Sequence, residues 1–292
     1  MKKKTSPLFI VLSIILVFYC LLMVFMFGWA IITSFRLEDS FDINPLSLSG
    51  FPTAKYYLNA FVNFKIEVYK SGTGEGYKVL YLEQMFFNSL EYALGCAFVN
   101  TFFTCVVAYV SARFKYFFCK WLYVTVIVVM ALPIVGNLPS ELAMSISLGI
   151  YDTMIGMFIM RSTFLGFYFL VFVAIFKSVP QDYQEAAYID GANDFSIFFK
   201  IMMPLARDTF FTILLLYFIS YWNDYSVPLV YLPSRPPLAV GLYTFKQSTD
   251  NVISSVPAKM AGCIIAVIPI TLIFIVFQKR LMGNLTVGGI KE

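Results

Sequence analysis

Between Leu8 and about Ile32 the chain reads LFIVLSIILVFYCLLMVFMFGWAII, a run without one charged side chain. A run of this length matches a bilayer: about 20 apolar residues at 1.5 Å rise each cover about 30 Å of hydrocarbon. Five more runs reach the same scale, at about 86–111, 120–138, 153–176, 209–231 and 259–278. Inside hydrocarbon the backbone must satisfy its own hydrogen bonds, and a run of helical length does so as a helix. The expected fold is therefore all-α, a polytopic membrane protein with six transmembrane helices forming one domain over residues 1–292. The composition agrees, with 60% hydrophobic and 13% charged residues against about a half and a quarter in soluble domains. The leading MKKK and the first apolar run also resemble a signal peptide. The run is too long for that and lacks a small-residue cleavage site, so it reads as a retained first span.

Several function classes drop out early. Histidine is absent, which removes His-based metal sites and Ser-His-Asp hydrolysis. The five cysteines, Cys20, Cys96, Cys105, Cys119 and Cys263, form no CxxC pair and read as small packing residues. No metal site and no catalytic residue is expected. The net charge of +4 is too small to argue for a nucleic-acid partner. The phrase KSGTGEGYK misses the phosphate-loop spacing, with no strand evident before it and no helix nucleus after it.

Lysine and arginine set the expected orientation. With both termini cytoplasmic, Lys2–Lys4, Arg113/Lys115/Lys120, Lys177/Lys200/Arg207 and Lys279/Arg280/Lys291 all fall inside. The segment 34–85 then becomes a long extracytoplasmic loop, and 178–207 lies in the cytoplasm.

That cytoplasmic segment contains QEAAYIDGANDF. Ser178 with Gln181 suggests a capping box opening a helix over about 179–190. Gly191 is a helix stop, and Asn193 or Asp194 caps a second helix, DFSIFFKIMMPL, that Pro204 ends or kinks. On the first helix Tyr183, Ala186, Ala187 and Asp190 share a face, left shallow by the alanines. Phe195, Phe198, Phe199 and Met202 are expected to anchor the second helix to the bundle. Its carboxylates would cost about 2.5–3.5 kcal/mol each in lipid, so the segment is not a seventh span. From these residues alone, it is either a solvated connection or a docking surface.

VPQDYQEAAYIDGANDFSIFFKIMMPLARD closely resembles the EAA loop of ATP-binding-cassette importer permeases of the carbohydrate, maltose-type subfamily. Glu185, Ala186, Ala187, Ile189, Asp190, Gly191, Ala192, Phe199, Pro204 and Leu205 match its pattern. Asn88-Ser89-Leu90, Tyr221-Trp222-Asn223-Asp224 with Pro228-Leu229, Gln278-Lys279-Arg280 and Gly288-Gly289-Ile290-Lys291 resemble further family phrases in order. Asp182-Tyr183, Asp208 and PIVGNLPSELAM depart from it, which bears on sugar specificity more than on coupling. The resemblance implies a sugar or oligosaccharide importer subunit of the bacterial cytoplasmic membrane, not an enzyme. It would work with a second, different permease, two ATPase subunits and an extracytoplasmic substrate-binding protein, with membrane lipid around it. ATP and Mg would belong to the ATPases, and this chain would hold no cofactor. Tyr183, Glu185, Ala186, Ala187, Asp190 and Gly191 would couple to the ATPase, with Glu185 as the polar anchor.

Five residues are candidates for the solute path. Arg161 lies inside the fourth apolar run, where a charge faces a cavity or partner, or snorkels to the interface. Asn223 and Asp224, beside Trp222, offer polar groups and an aromatic face suited to sugar, or an interhelical clasp. Tyr168 is a further aromatic candidate. Pro133, Pro139 and Pro269 are expected to kink or break their helices. The alternative solutes are a polyol, glycerol phosphate or a modified oligosaccharide, and an intramembrane enzyme is the competing class. The orientation is testable: in a variant lacking the native cysteines, a cysteine at Gln181 should react with an impermeant thiol reagent only when the inner membrane face is opened. Labelling of intact cells would reverse the topology.

Overall fold

The computed structural model describes residues 7–47, 52–63, 65–69, 76–132, 136–247 and 255–285. Two compact units divide the chain, Met1–Ile66 with Gly241–Pro269, and Glu67–Val240 with Ile270–Glu292.

In the first unit α1 (Pro7–Ser34) is 28 residues long, or about 42 Å at the helical rise. Its large apolar side chains from Leu8 to Phe27 are exposed on every side, as lipid contact requires. The chain then turns sharply. Arg36 is buried, and its guanidinium donates to the carbonyl oxygens of Ser40, Asn44 (2.9 Å) and Pro45 (3.2 Å). These bonds wrap the short helix α2 (Glu38–Ile43) around the cation. Trp29 Nε1 donates to the same Pro45 oxygen. Tyr56 of α3 (Lys55–Asn63) packs on Ala258 and Ala261 near the start of α15 (Val256–Leu285).

Strands β1 (Lys65–Tyr69) and β2 (Tyr77–Tyr81) pair as a small sheet in an otherwise helical chain. A strand therefore does precede the glycine-rich phrase, contrary to expectation. Another strand follows it, so the strand-loop-helix order of a phosphate loop is still not met. Residues 70–75 of that phrase lie outside the described residues.

The second unit is built around α4 (Leu82–Arg113). Ser89, Tyr92, Ala93, Cys96, Ala97, Asn100, Thr101, Thr104, Cys105, Ala108 and Tyr109 are its buried stripe. They recur every three or four residues, the period of one helical face. Many are small, which lets neighbouring backbones approach closely. Against them pack α5 (Phe117–Ala131), α7 (Met154–Arg161), α8 (Phe167–Ser178) and α12 (Arg207–Trp222). Phe169, Phe172 and Phe176 of α8 and Phe210 and Ile213 of α12 complete the core. Cys96, Cys105 and Cys119 are buried, while Cys20 and Cys263 are exposed.

Three of the apolar runs correspond to long unbroken helices among the described residues: α1, α4 and Val256–Ile275 within α15. The others are shorter or broken. The run 153–176 divides into α7 and α8 around residues 162–166, and the run 209–231 into α12 and α13 (Ser226–Tyr231) around 223–225. Pro139 stands in the first turn of α6 (Leu138–Ser147), where a missing N–H is harmless. Pro133 is outside the described residues. Pro269 breaks nothing, since α15 continues through it.

Two glycines mark close approaches. A Cβ at Gly95 of α4 would overlap the edge of the Phe158 ring, and one at Gly156 of α7 would collide with the Ile150 carbonyl oxygen. A ring can rotate aside; a backbone carbonyl cannot without moving its loop. Gly156→Ala should therefore cost about 1–3 kcal/mol, and Gly95→Ala less. Thermal unfolding of the detergent-solubilised protein checks the order, and a smaller loss for Gly156→Ala would contradict this packing.

Candidate functional site

The EAA segment forms a hinged pair. Ser178 does not open the first helix: it is the last residue of α8, and its hydroxyl donates back to Ile175. The helix itself, α9 (Asp182–Ile189), starts three residues later than expected, with no side-chain cap at Gln181. Its end is as expected. Gly191 has φ +78°, Ala192 N–H donates to Ala187 O at 2.9 Å, and Gly191 N–H donates to Tyr188 O at 3.0 Å. This is the Schellman closure, and only a residue tolerant of positive φ supports it cheaply. Asn193 then caps the next helix, accepting from Ser196 N–H at 2.8 Å.

That helix is composite. It begins as α10 (Asp194–Ile197), widens into a π-helical turn over Phe198–Met202, and ends as α11 (Met203–Leu205). Beyond Ala206 the axis bends by 76° into α12. Phe198 and Met202 enter the core, as expected of anchors. Phe195 and Phe199 do not; they are exposed, and Ile197 takes the third buried position.

On α9 the expected shared face divides. Ala187 turns inward onto the unit's own core, while Tyr183, Glu185, Ala186, Asp190 and Gly191 are exposed. At about 100° per residue, Asp182, Glu185, Ala186 and Ile189 lie on the side away from Ala187. Ile189 is 86% exposed, an apolar side chain that ends this outward surface one turn beyond Glu185. Sequence reasoning passed over it because it weighed only the alanine-containing stripe. Behind α9, Arg113 at the end of α4 donates to Val179 O at 2.7 Å. Tyr188 Oη donates to Asp194 Oδ1 and accepts from Gln184 Nε2 at 3.1 Å. The bond to Asp194 raises the Tyr188 phenol above its ordinary pKa, since losing that proton would set an anion against the carboxylate.

A second polar cluster occupies the two helix breaks. Arg161, the last residue of α7, reaches Asp224 Oδ2 at 3.3 Å. Arg161 is thus paired with a neighbouring break. Tyr92 Oη donates to the same Asp224 oxygen at 3.0 Å, while Oδ1 accepts from Ser226 Oγ and Val227 N–H at the start of α13. The Arg161 guanidinium also lies 5.8 Å from the Tyr221 ring centre, and Tyr221 Oη accepts from Asn100 Nδ2 at 2.7 Å. Thr104 donates to the Thr163 carbonyl in the first break at 3.2 Å.

The other path candidates stand around this cluster. Asn223 is exposed, with its amide turned back to Ile219 O. Trp222 is buried against Phe86 and Phe218, and Tyr168 packs edge-on against Tyr217. Tyr92, Asn100 and Tyr221 were missed as members. The available signals were Asn100, an amide in the middle of an apolar run, and Tyr221, which opens the YWND phrase. Asn88 and Ser89 anchor a connection: Asn88 donates to Pro236 O, and Ser89 accepts from Leu238 N–H at 2.6 Å. No group of three metal-ligating side chains occurs among the described residues.

Residues 94–285 match the family model described as binding-protein-dependent transport system inner membrane component. The chain belongs to this family. It is therefore a membrane-embedded permease of an ABC importer, a transport subunit and not an enzyme. ATPase and substrate-binding partners go with that class. The permease is 28% identical over 70% of its length to the arabinooligosaccharides transport system permease protein AraQ of Bacillus subtilis, covering 73% of that protein. It is 25% identical over 89% of its length to the diacetylchitobiose uptake system permease protein NgcG of Streptomyces coelicolor, covering 82% of it. A solved bacterial ABC transporter involved in the import of the acidic polysaccharide alginate shares its fold, with a TM-score of 0.76 at 19% identity over 95% of this chain and 99% of that one.

The charge pair should act as one unit in the permease. Its side chains keep 27% and 17% of their exposure, so Arg161→Ala or Asp224→Ala should each cost about 2 kcal/mol, less than the about 3–5 kcal/mol of a fully buried pair. The double variant should cost little more than either single. Thermal unfolding of the three variants checks this, and additive losses would mean that the two groups are independent.

Proposed function

We propose that this permease is one of two membrane subunits of an ATP-driven, binding-protein-dependent importer of sugars or oligosaccharides in a bacterial cytoplasmic membrane. It pairs with a different permease, binds two ATPase subunits on the inside and receives solute from an extracytoplasmic binding protein. Both of its termini are cytoplasmic, lipid surrounds the spans at about 8–32, 86–111, 120–138, 153–176, 209–231 and 259–278, and ATP and Mg stay on the ATPases.

The observation that carries this reading is the outward face of α9. Asp182 and Glu185 give it negative charge with no basic residue in the helix, and Ile189 projects from its C-terminal end. An exposed apolar side chain beside carboxylates suits a partner groove with an apolar floor and a basic rim. Tyr183, Glu185, Ala186, Asp190 and Gly191 belong to that contact, and Ala187 supports it from behind. ATP can shift the permease between states only through contacts that differ between them, and α9 is where such contacts are made. Along the path, the Arg161–Asp224 pair offers donors and acceptors to sugar hydroxyls, with Asn223 open beside it and Tyr168 and Trp222 as aromatic support. The AraQ and NgcG relatives favour oligosaccharides over the other solutes considered.

Ile189→Asp should release the ATPase subunits from the tagged, purified complex and abolish uptake of arabinooligosaccharides or diacetylchitobiose into membrane vesicles, while the permease itself stays folded. Retention of both ATPases and native uptake would sink the docking role. Uptake of neither sugar by the native complex would redirect the search to another solute.

A further inference from the structure

The joint between α9 and the helix that follows is closed by two devices that belong to the separate helices and a third that belongs to neither. The Schellman bonds of Gly191 and Ala192 finish α9. The Asn193 side chain starts α10 through Ser196 N–H. Each helix is thereby complete at its own end. Neither cap fixes rotation of one helix against the other about residues 191–193. Ala187 and Ala192 seat the joint on the core that also holds Ile197, and Tyr188 ties the two helices directly: from the last turn of α9 it donates to Asp194 Oδ1, the first residue of the next helix, and Gln184 Nε2 holds the same hydroxyl from one turn back.

We propose that Tyr188 is a positioning residue that sets the angle between α9 and residues 194–205, so that a displacement of α9 is passed to α12 as the motion of one rigid lever. The inference rests on the docking role proposed above. Its surroundings fit a lever. The entry to α9 is tied to α4 by Arg113 on Val179 O. The far arm is seated by Phe198, whose ring lies 5.0 Å from that of Tyr109. Between these fixed points lies the elbow, where Ala192 packs against the core while Tyr188 is 44% exposed. A tyrosine there adds little to the core. Its hydroxyl instead fixes a relative orientation that neither helix determines alone.

The test uses the permease assembled with its ATPase and second permease subunits, with a non-hydrolysable ATP analogue as the probe. Amide hydrogen exchange is read in α9 and in the first turn of α12, with and without the analogue. In the native complex the analogue should change exchange in both places. In Tyr188→Phe the change in α9 should persist, while the change in α12 should shrink about fivefold, the population factor that one lost hydrogen bond sets. Asp194→Asn keeps a carbonyl acceptor and should respond like the native complex. Asp194→Ala should respond like Tyr188→Phe, and the double variant should be no weaker than either.

A native-like α12 response in Tyr188→Phe would overturn the lever, and so would additive losses in the double variant. Loss of the ATPases from Tyr188→Phe would also overturn it, by assigning the tyrosine to the docking face. The docking role fails separately, through Ile189→Asp retaining its ATPases, whatever Tyr188 does.

Discussion

Hydrocarbon offers the backbone no hydrogen-bond partner, and the second unit is organised around that lack. A helix that stops inside the membrane exposes amides and carbonyls that something else must satisfy. Two apolar runs do stop, around 162–166 and 223–225, and both breaks meet polar groups. Thr104 covers the first through the Thr163 carbonyl. Asp224 covers the second by accepting from Val227 N–H. Tyr92 and Arg161 in turn hold Asp224 in place. The uninterrupted helix α4 supplies Tyr92, Asn100 and Thr104 from one stripe, spaced so that all three face the broken helices. Its small residues between them, such as Ala93 and Ala97, let those helices come close enough to be reached. The charged pair thus also serves the second break, where Asp224 accepts a freed backbone N–H.

In the EAA segment local chemistry closes the helix ends: a glycine with positive φ, an asparagine cap, a tyrosine tie. These leave the acidic and apolar outward side of α9 exposed. The π-helical turn at Phe198–Met202 and the 76° bend after Ala206 then lead from this surface into α12. The exposed α9 and the break that holds Asp224 thus stand before and after α12 in the chain.

Much of this was legible in the sequence, for reasons that can be stated. The helical class follows from run length alone. The stop at Gly191 and the cap at Asn193 follow from local backbone preferences, which need no knowledge of neighbours. What was not legible depends on neighbours. Ser178 and Gln181 have the spacing of a capping box, but α8 extends far enough to absorb the serine as its own last residue. Ala187 and Ala186 differ only in direction, and the direction is set by the core of α4, α8 and α12. Hydropathy also cannot see the breaks in the fourth and fifth runs, because Ser162, Thr163 and Asn223 are compatible with a continuing helix until a partner claims the freed groups. Arg161 and Asp224 were each visible as oddities, but their meeting was not.

The turn after α1 has a different kind of consequence. Its buried Arg36 is held by three carbonyl oxygens, from Ser40, Asn44 and Pro45, and by the face of Phe41. None of those acceptors takes up a proton in ordinary media. A knot tied to a carboxylate would loosen as the medium turned acidic; this one has no such weak point, and the turn should keep its shape through swings in acidity that would open a carboxylate-based clasp.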